Sequence, residues 1–444
     1  MKIALCKTAF AGPVSGADET LVTYATALQQ TDNDVQVVLL YRCAEDDQYY
    51  VRLKNAGVPV VFLVRRSLLF NLLRVMRDLL ASALFFVFLV PQAKNILRRT
   101  WQALIAFLTR PRYRICQEFL SETRPDVVHV FTPDTGATLM IRAGHGLGIP
   151  VLYHELGTPN HLPMLNGYYE RLKKVLPLCS EVAALSPRLA DEWTARFPFL
   201  RKISVVPILA EQSKAFNLFV RKRGNSKAVF GYAARLEEGK GPLVLLEAIR
   251  QVNRETPLAV VRIAGVGEQS ARVRARARSL GLDGACEFVG VYSDPLGRGA
   301  FMNSLDVFVL PSFAEGTPNS IVEAMANGIP IIASDVGGIA DMIGNDAGIL
   351  VTAGDAEALA EAMRRLATDA TLRKQMGERA KQRYHTLFTP QAVLPLILDT
   401  YDRIMAKKKN RDEINGHHPW SAQSMRNLSK APAAEIPLSR TSSP

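Results

Sequence analysis

The sequence predicts an α/β protein of two tandem doubly wound domains, each a parallel sheet covered by helices, facing each other across a central cleft. Three observations carry this expectation. A chain of 444 residues exceeds what one hydrophobic core fills, so two domains of roughly 200 residues each are the default. Short Val/Ile/Leu runs alternate with helical stretches along most of the length, the pattern of parallel strands joined by helices. Near 211–227 a basic stretch with Ser, Asn and Gly (Arg221-Lys222-Arg223-Gly224-Asn225-Ser226) interrupts the apolar pattern like a linker, and a second strand–helix series follows it.

In the first domain (1–210) strands are expected at 3–6, 35–41, 58–64, 127–131, 151–154 and 182–185, with helices at 18–30 and 135–144. In the second (228–388) they are expected at 229–232, 259–264, 285–289, 307–311 and 330–334, with helices at 242–253, 270–280 and 320–327. A helix interrupted by Pro395 follows at 389–406 and returns toward the first domain. The polar stretch 407–444 lacks periodic apolar residues and reads as a disordered tail. Two such sheets place a ligand cleft at the carboxyl ends of their strands.

Composition narrows the class. Hydrophobic residues make up 48% and charged residues 22%, which suits packed cores and excludes a wholly disordered chain. The five cysteines, Cys6, Cys43, Cys116, Cys179 and Cys286, are scattered and form no Cys/His cluster, so the reading is a reducing cytoplasm and no structural zinc. Too few apolar residues precede Lys7 for the start to be a signal-peptide core; it reads as a first buried strand.

The net charge of +12 is concentrated in two places: 65–114 holds ten Lys/Arg against one Asp, and 407–444 holds seven against three acidic residues. Within the former, Leu69, Leu72, Leu73, Met76, Leu79 and Leu80 recur at helical spacing. After Pro91 a second stripe (Leu97, Trp101, Leu104, Leu108) is flanked by Lys94, Arg98 and Arg99. This predicts a basic amphipathic hairpin. Its most apolar piece, 79–90, spans roughly 18 Å as a helix against a hydrocarbon core of about 30 Å, so it is expected to lie in an anionic membrane interface rather than cross it.

Two motifs carry chemistry. Gly231-Tyr-Ala-Ala-Arg235-Leu-Glu-Glu-Gly-Lys240-Gly-Pro242 leaves a strand and enters a helix, so backbone amides, the helix dipole and two cations meet at a loop suited to a diphosphate. Phe313-Ala-Glu315-Gly316-Thr317-Pro318-Asn319-Ser-Ile-Val-Glu323 lies between two strands. There Gly316 allows close backbone approach to a ligand, and Thr317 or Asn319 is expected to cap the helix. A carboxylate such as Glu323 repels phosphate but accepts hydrogen bonds from adjacent hydroxyls, as on a ribose, and Glu315 can similarly face a sugar ring. Either motif alone also fits an ordinary solvated loop.

Together, in this order and on these elements, the motifs resemble the C-terminal domain of glycosyltransferase family 4, whose members are retaining enzymes of the GT-B fold, two Rossmann-like domains facing a central cleft. The resemblance continues through Ile263-Ala-Gly265-Val-Gly267-Glu268, Phe288-Val-Gly290, Asp335-Val-Gly337-Gly338 and Ala347-Gly-Ile-Leu-Val351, and covers nearly all of 228–390. It implies that Arg235 and Lys240 bind the donor diphosphate and that Glu323 holds the ribose. Glu315, Gly316, Thr317, Pro318 and Asn319 would hold the sugar, and Val291 and Tyr292 would lie where the base is seated. In the first half, Ser15-Gly16 stands where many members have Gly-Gly, so Gly16 would approach the donor phosphates. His154 stands where the family places a cleft histidine near the donor sugar.

The resemblance further implies transfer of a sugar from a UDP- or GDP-linked donor with retention, without a protein nucleophile. The lone Asp32-Asn33-Asp34 reads as a polar turn, so no metal or other cofactor is expected. With the basic hairpin, it suggests a peripheral protein of the inner membrane face, acting on a glycan or polyprenyl-linked acceptor for cell-surface polysaccharide; no nucleic-acid partner is expected. The alternatives are a nucleotide-sugar epimerase on the same scaffold and a catalytically silent partner subunit. A NAD-dependent oxidoreductase is disfavoured because no Gly-x-Gly-x-x-Gly follows the first strand.

Overall fold

A computed structural model describes residues 1–11, 15–64, 112–131, 135–159, 166–210, 227–254, 258–292 and 295–414. The first sheet consists of β1 (Lys2–Lys7), β2 (Asp34–Tyr41), β3 (Val60–Val64), β4 (Val127–Phe131), β5 (Val151–Glu155), β6 (Glu181–Ala184) and β7 (Ser204–Val205), all parallel, in the order β3-β2-β1-β4-β5-β6-β7. The second consists of β8 (Ala228–Ala233), β9 (Ala259–Ala264), β10 (Cys286–Gly290), β11 (Val307–Leu310), β12 (Ile331–Ser334) and β13 (Gly348–Val351), also parallel, in the order β10-β9-β8-β11-β12-β13. Strands such as Val-Val-His-Val-Phe of β4 and Val-Phe-Val-Leu of β11 are buried at every position. That is why they read as apolar runs rather than alternations: helices cover both faces.

β7 and β13 escaped the sequence reading of strands, because two and four residues are too short for a period to register. A helix over 112–123 also escaped it, and carries Cys116 and Leu120 into the core. The expected linker at 211–227 and the basic hairpin lie outside the described residues except at Lys227 and 112–114.

The helix Pro390–Ile414 leaves the second domain and packs on the first sheet, where Val393, Ile397, Tyr401 and Ile404 join Ile3, Leu5 and Val35 in one buried cluster. Pro395 falls in its second turn and does not break it. The helix also runs past residue 406, where the sequence reading began a tail. Arg403 and Lys407 both reach Glu181, at 2.8 Å each, so the basic turn has a partner on β6 that no local pattern reveals.

Beneath this helix two imidazoles stack, His129 on His154, with ring centroids 5.4 Å apart. The Tyr401 hydroxyl meets His129 Nδ1 at 2.7 Å, and His154 Nε2 donates to the Val206 carbonyl at 2.9 Å. Burial pulls both pKa values down, His129 well below its ordinary range and His154 to about 4, the latter against the pull of the Val206 carbonyl. A histidine more acidic in the folded chain stabilises the fold above its unfolded pKa near 6.5, and that stability is lost as pH falls toward 4; for His154 the loss is about 3 kcal/mol. The melting temperature is therefore expected to fall between pH 6.5 and 4. In His154→Gln, differential scanning calorimetry across that window should record a shallower fall; an equally steep one contradicts the assignment.

Candidate active site

Each sheet reverses its strand order at one point, between β1 and β4 in the first and between β8 and β11 in the second. Loops leaving the carboxyl ends of such neighbours diverge and open a crevice. At the β8/β11 reversal the loops stay knitted at their bases: Phe313 N–H donates to Gly239 O at 2.9 Å, and the Tyr232 hydroxyl, on the last turn of β8, donates to Arg235 O at 3.2 Å and Lys240 O at 3.3 Å. Tyr232 thus ties both ends of the cation-bearing loop.

Lys240 ends a 3-10 turn (Glu238–Lys240) and its Nζ meets Glu315 Oε1 at 2.7 Å. Ser312 Oγ donates to the same oxygen at 2.7 Å. Both ends of this ion pair are largely shielded from water, with side-chain exposures of 19% for Lys240 and 7% for Glu315, so a charge removed from one leaves the other poorly solvated. Arg235 is more open and pairs with Glu237 at 2.7 Å. The structure therefore brings Lys240 and Glu315 together directly, while Arg235 stands free to turn toward a ligand at the cost of one exposed ion pair.

The helix Asn319–Ala326 begins four residues after Glu315. Its N-cap is Pro318, in extended conformation, and no side chain caps it. The expected capping by Thr317 or Asn319 does not occur: Thr317 Oγ1 is buried without a partner, and Asn319 Nδ2 instead donates to the Gly16 carbonyl of the first domain at 3.1 Å. An uncapped helix start keeps its amides and positive dipole end for an anion. Gly16, expected near phosphate, is thus placed at the cross-cleft contact, at the start of the helix Gly16–Gln29, which Ser15 caps by accepting from Asp18 N–H at 3.3 Å. Gly316 approaches the first domain rather than an open ligand space; a Cβ there would lie 2.4 Å from Leu156 O.

Glu323, on the same helix, pairs with Arg298 at 3.1 Å. Burial raises its pKa, Arg298 opposes the rise, Glu19 of the first domain adds to it, and the phenol of Tyr292 beside it favours the ionised form. Val291, just after β10, is 43% exposed, an apolar side chain open to solvent.

His154 does not join this group. Successive strand residues face opposite sides of a sheet. At the end of β5, His154 turns into the fully buried cluster with Tyr24, His129 and Phe131, and its proton-bearing Nε2 is committed to Val206. The next residue, Glu155, takes the opposite face. Burial lifts its pKa to about 7 against the Tyr153 hydroxyl and the amides of Gly157 and Leu156, and it fixes the turn on which Gly316 rests. Sequence reasoning missed Tyr232, Ser312, Arg298 and Glu155. Ser312, three residues before Glu315, and Tyr232, three before Arg235, both stand at strand ends close to a motif residue; Arg298 had no local signal.

Two facing switch points, with a cation-bearing loop and an uncapped helix on the second, define the GT-B architecture. The chain matches two families in tandem, Glycosyltransferase Family 4 over residues 14–208 and Glycosyl transferases group 1 over 213–383. It belongs to family 4 of the glycosyltransferases, as the motifs implied. It is similar to the lipopolysaccharide core biosynthesis glycosyltransferase LpsE of Rhizobium meliloti, at 30% identity over 39% of this chain and 48% of that protein. It is also similar to the capsular polysaccharide biosynthesis glycosyltransferase CapM of Staphylococcus aureus, at 25% identity over 42% of this chain and 49% of that protein. The chain thus spans about half the length of these curated relatives. Its fold is that of Anabaena HepE, crystallised in complex with UDP and glucose, with a TM-score of 0.67 and 19% identity over 90% of this chain and 99% of that one.

The loop that carries Glu315 is pinned from behind by Gly337, at φ +52°, where a Cβ would lie 1.8 Å from Glu315 O. Gly337→Ala is therefore expected to destabilise the fold by roughly 1 to 3 kcal/mol. Gly57→Ala, equally left-handed at φ +70° but in open space, should cost less. Thermal melts of the two variants make the comparison, and equal losses contradict the packing argument.

Proposed function

We propose that this chain is a retaining glycosyltransferase that moves a sugar from a UDP- or GDP-linked donor to a glycan or polyprenyl-linked acceptor in cell-surface polysaccharide biosynthesis. The observation that carries the reading is the Lys240–Glu315 pair at 2.7 Å beside the uncapped start of the helix Asn319–Ala326. It offers a cation and free amides where a leaving diphosphate gathers charge, and a carboxylate within the same shielded pocket for sugar hydroxyls. HepE, bound to UDP and glucose, and relatives named for lipopolysaccharide and capsule synthesis support the substrate class.

In this mechanism Arg235 and Lys240 hold the diphosphate, Glu323 accepts from the ribose, and Val291 covers the base. Glu315 with the backbone of Gly316 to Asn319 holds the sugar, and Gly16 meets Asn319 when the domains close. The acceptor attacks from the side the diphosphate leaves. Electrostatic stabilisation by Arg235, Lys240 and the helix start serves in place of a metal or other cofactor. The buried imidazole of His154 acts only by holding the strand end at Val206.

Arg235→Ala and Lys240→Ala are each expected to lower turnover roughly 10²- to 10³-fold; thermal stability should change little in Arg235→Ala, whose ion pair is exposed, and fall in Lys240→Ala, which leaves the shielded Glu315 carboxylate without its cation. Near-normal transfer or donor hydrolysis in both would contradict the phosphate assignment. Glu323→Ala should weaken binding of the free nucleotide. Glu315→Ala should weaken use of the sugar donor but leave nucleotide affinity unchanged or raised, since it releases Lys240. Titration of each variant with nucleotide and with donor separates the roles, and equal losses for both ligands in both variants would refute the division.

Among the described residues no helix is long and apolar enough to cross a membrane. The expected hairpin at 65–114 leads us to place the enzyme peripherally on an anionic membrane, where a polyprenyl-linked acceptor resides. Sedimentation with anionic vesicles at low salt, its loss as salt screens the charges, and its loss on charge reversal of Arg98, Arg99 and Arg110 are the expected results. Arg112 is left unchanged because it packs over Tyr41, 5.5 Å from the ring centroid. Vesicle binding unaffected by those substitutions would refute the membrane role.

A further inference from the structure

The Arg298–Glu323 pair joins two elements of the second domain, the helix Pro295–Asn303 that follows the segment after β10 and the helix Asn319–Ala326. Arg298 Nη1 meets Glu323 Oε1 at 3.1 Å. Arg298 Nε and Glu323 Oε2 are both buried and have no hydrogen-bond partner. One ion pair therefore keeps a dry donor and a dry acceptor, whereas buried polar atoms are ordinarily satisfied. A ligand group carrying both a hydroxyl and an acceptor oxygen would complete both at once.

We propose that Arg298 is a nucleotide-binding residue, forming with Glu323 a two-point clamp in which Glu323 Oε2 accepts from one ribose hydroxyl while Arg298 Nε–H donates to an oxygen of the same ribose. The inference rests on the nucleotide-sugar reading above and deepens it. Arg298 also sets the charge state of its partner. The groups facing Glu323 are Arg298, Tyr292 and, across the cleft, Glu19; Arg298 itself also faces Tyr49. Glu19 is in turn paired with Arg52 at 2.6 Å. Burial favours the neutral acid, which offers Oε2 less well to a hydroxyl; Arg298 opposes that, and Glu19 reinforces it. Nucleotide binding that needs ionised Glu323 is present above its pKa and is lost as pH falls through it. Removing the cation moves this acid limb to higher pH, and removing the Glu19 charge moves it to lower pH.

The test is calorimetric titration of the full chain with UDP and with GDP from pH 5 to 8, for the unaltered protein, Arg298→Gln, Arg298→Lys, Glu19→Gln and Glu323→Gln. Arg298→Gln is expected to weaken the preferred nucleotide roughly tenfold or more at pH 7.5 and to raise the acid limb by about one pH unit. Arg298→Lys keeps the charge but not the Nε–H, so it should restore the limb and not the affinity. Glu19→Gln should shift the limb the other way. An Arg298→Gln variant with unaltered affinity and acid limb, while Glu323→Gln loses affinity, overturns this inference alone. A Glu323→Gln variant that binds normally, or an unaltered protein that binds neither nucleotide, overturns the underlying reading and this inference with it.

Discussion

The site depends on one topological constraint: β8 and β11 lie side by side in a parallel sheet, yet the chain leaves them in opposite directions. Two loops must diverge from adjacent strand ends, and their amides cannot all pair with each other. The bonds from Phe313 to Gly239 and from Tyr232 to Arg235 and Lys240 close the base of the crevice. The helix Asn319–Ala326 that follows starts without a side-chain cap, and such a start favours anions.

Charge pairing then decides what the empty crevice can tolerate. Lys240 with Glu315, where water is largely excluded, and Arg298 with Glu323, partly shielded, each place a cation against a carboxylate. Such pairs contribute little net stability, because desolvation offsets their attraction, but they hold opposite charges ready where a ligand can exchange partners with them. The same pairing holds in the first domain, where Lys7 and Asp18 pair in full burial and Asp18 also accepts the Ala11 amide at 2.7 Å. Cross-cleft contacts complete the arrangement: Asn319 to Gly16, and Arg188, whose backbone amide donates to Asp341 at 2.8 Å while its guanidinium pairs with Asp335.

Much of this was legible in the sequence because it is local. Strand, loop and helix follow one another within a dozen residues at both motifs, so Arg235, Lys240, Glu315 and Glu323 stand out together, and the family resemblance gives them their roles. Facing direction was less legible. His154 and Glu155 are neighbours in the chain, and a one-residue change of parity sends one into the core and the other to the turn under Gly316. The cap of the helix Asn319–Ala326 was misread because Asn319 has a competing acceptor 303 residues away in the other domain. Arg298 acts through a partner on another helix, 25 residues on, and the last turns of the helix Pro390–Ile414 depend on Glu181, far earlier in the chain.

A crystal structure of the full chain with UDP or GDP bound would show whether the nucleoside diphosphate is held at the β8/β11 reversal. The diphosphate is expected between Arg235, Lys240 and the first amides of the helix Asn319–Ala326, with Lys240 turned from Glu315 toward a phosphate oxygen. A nucleotide seated elsewhere, with the Lys240–Glu315 contact still at its present 2.7 Å, would contradict it.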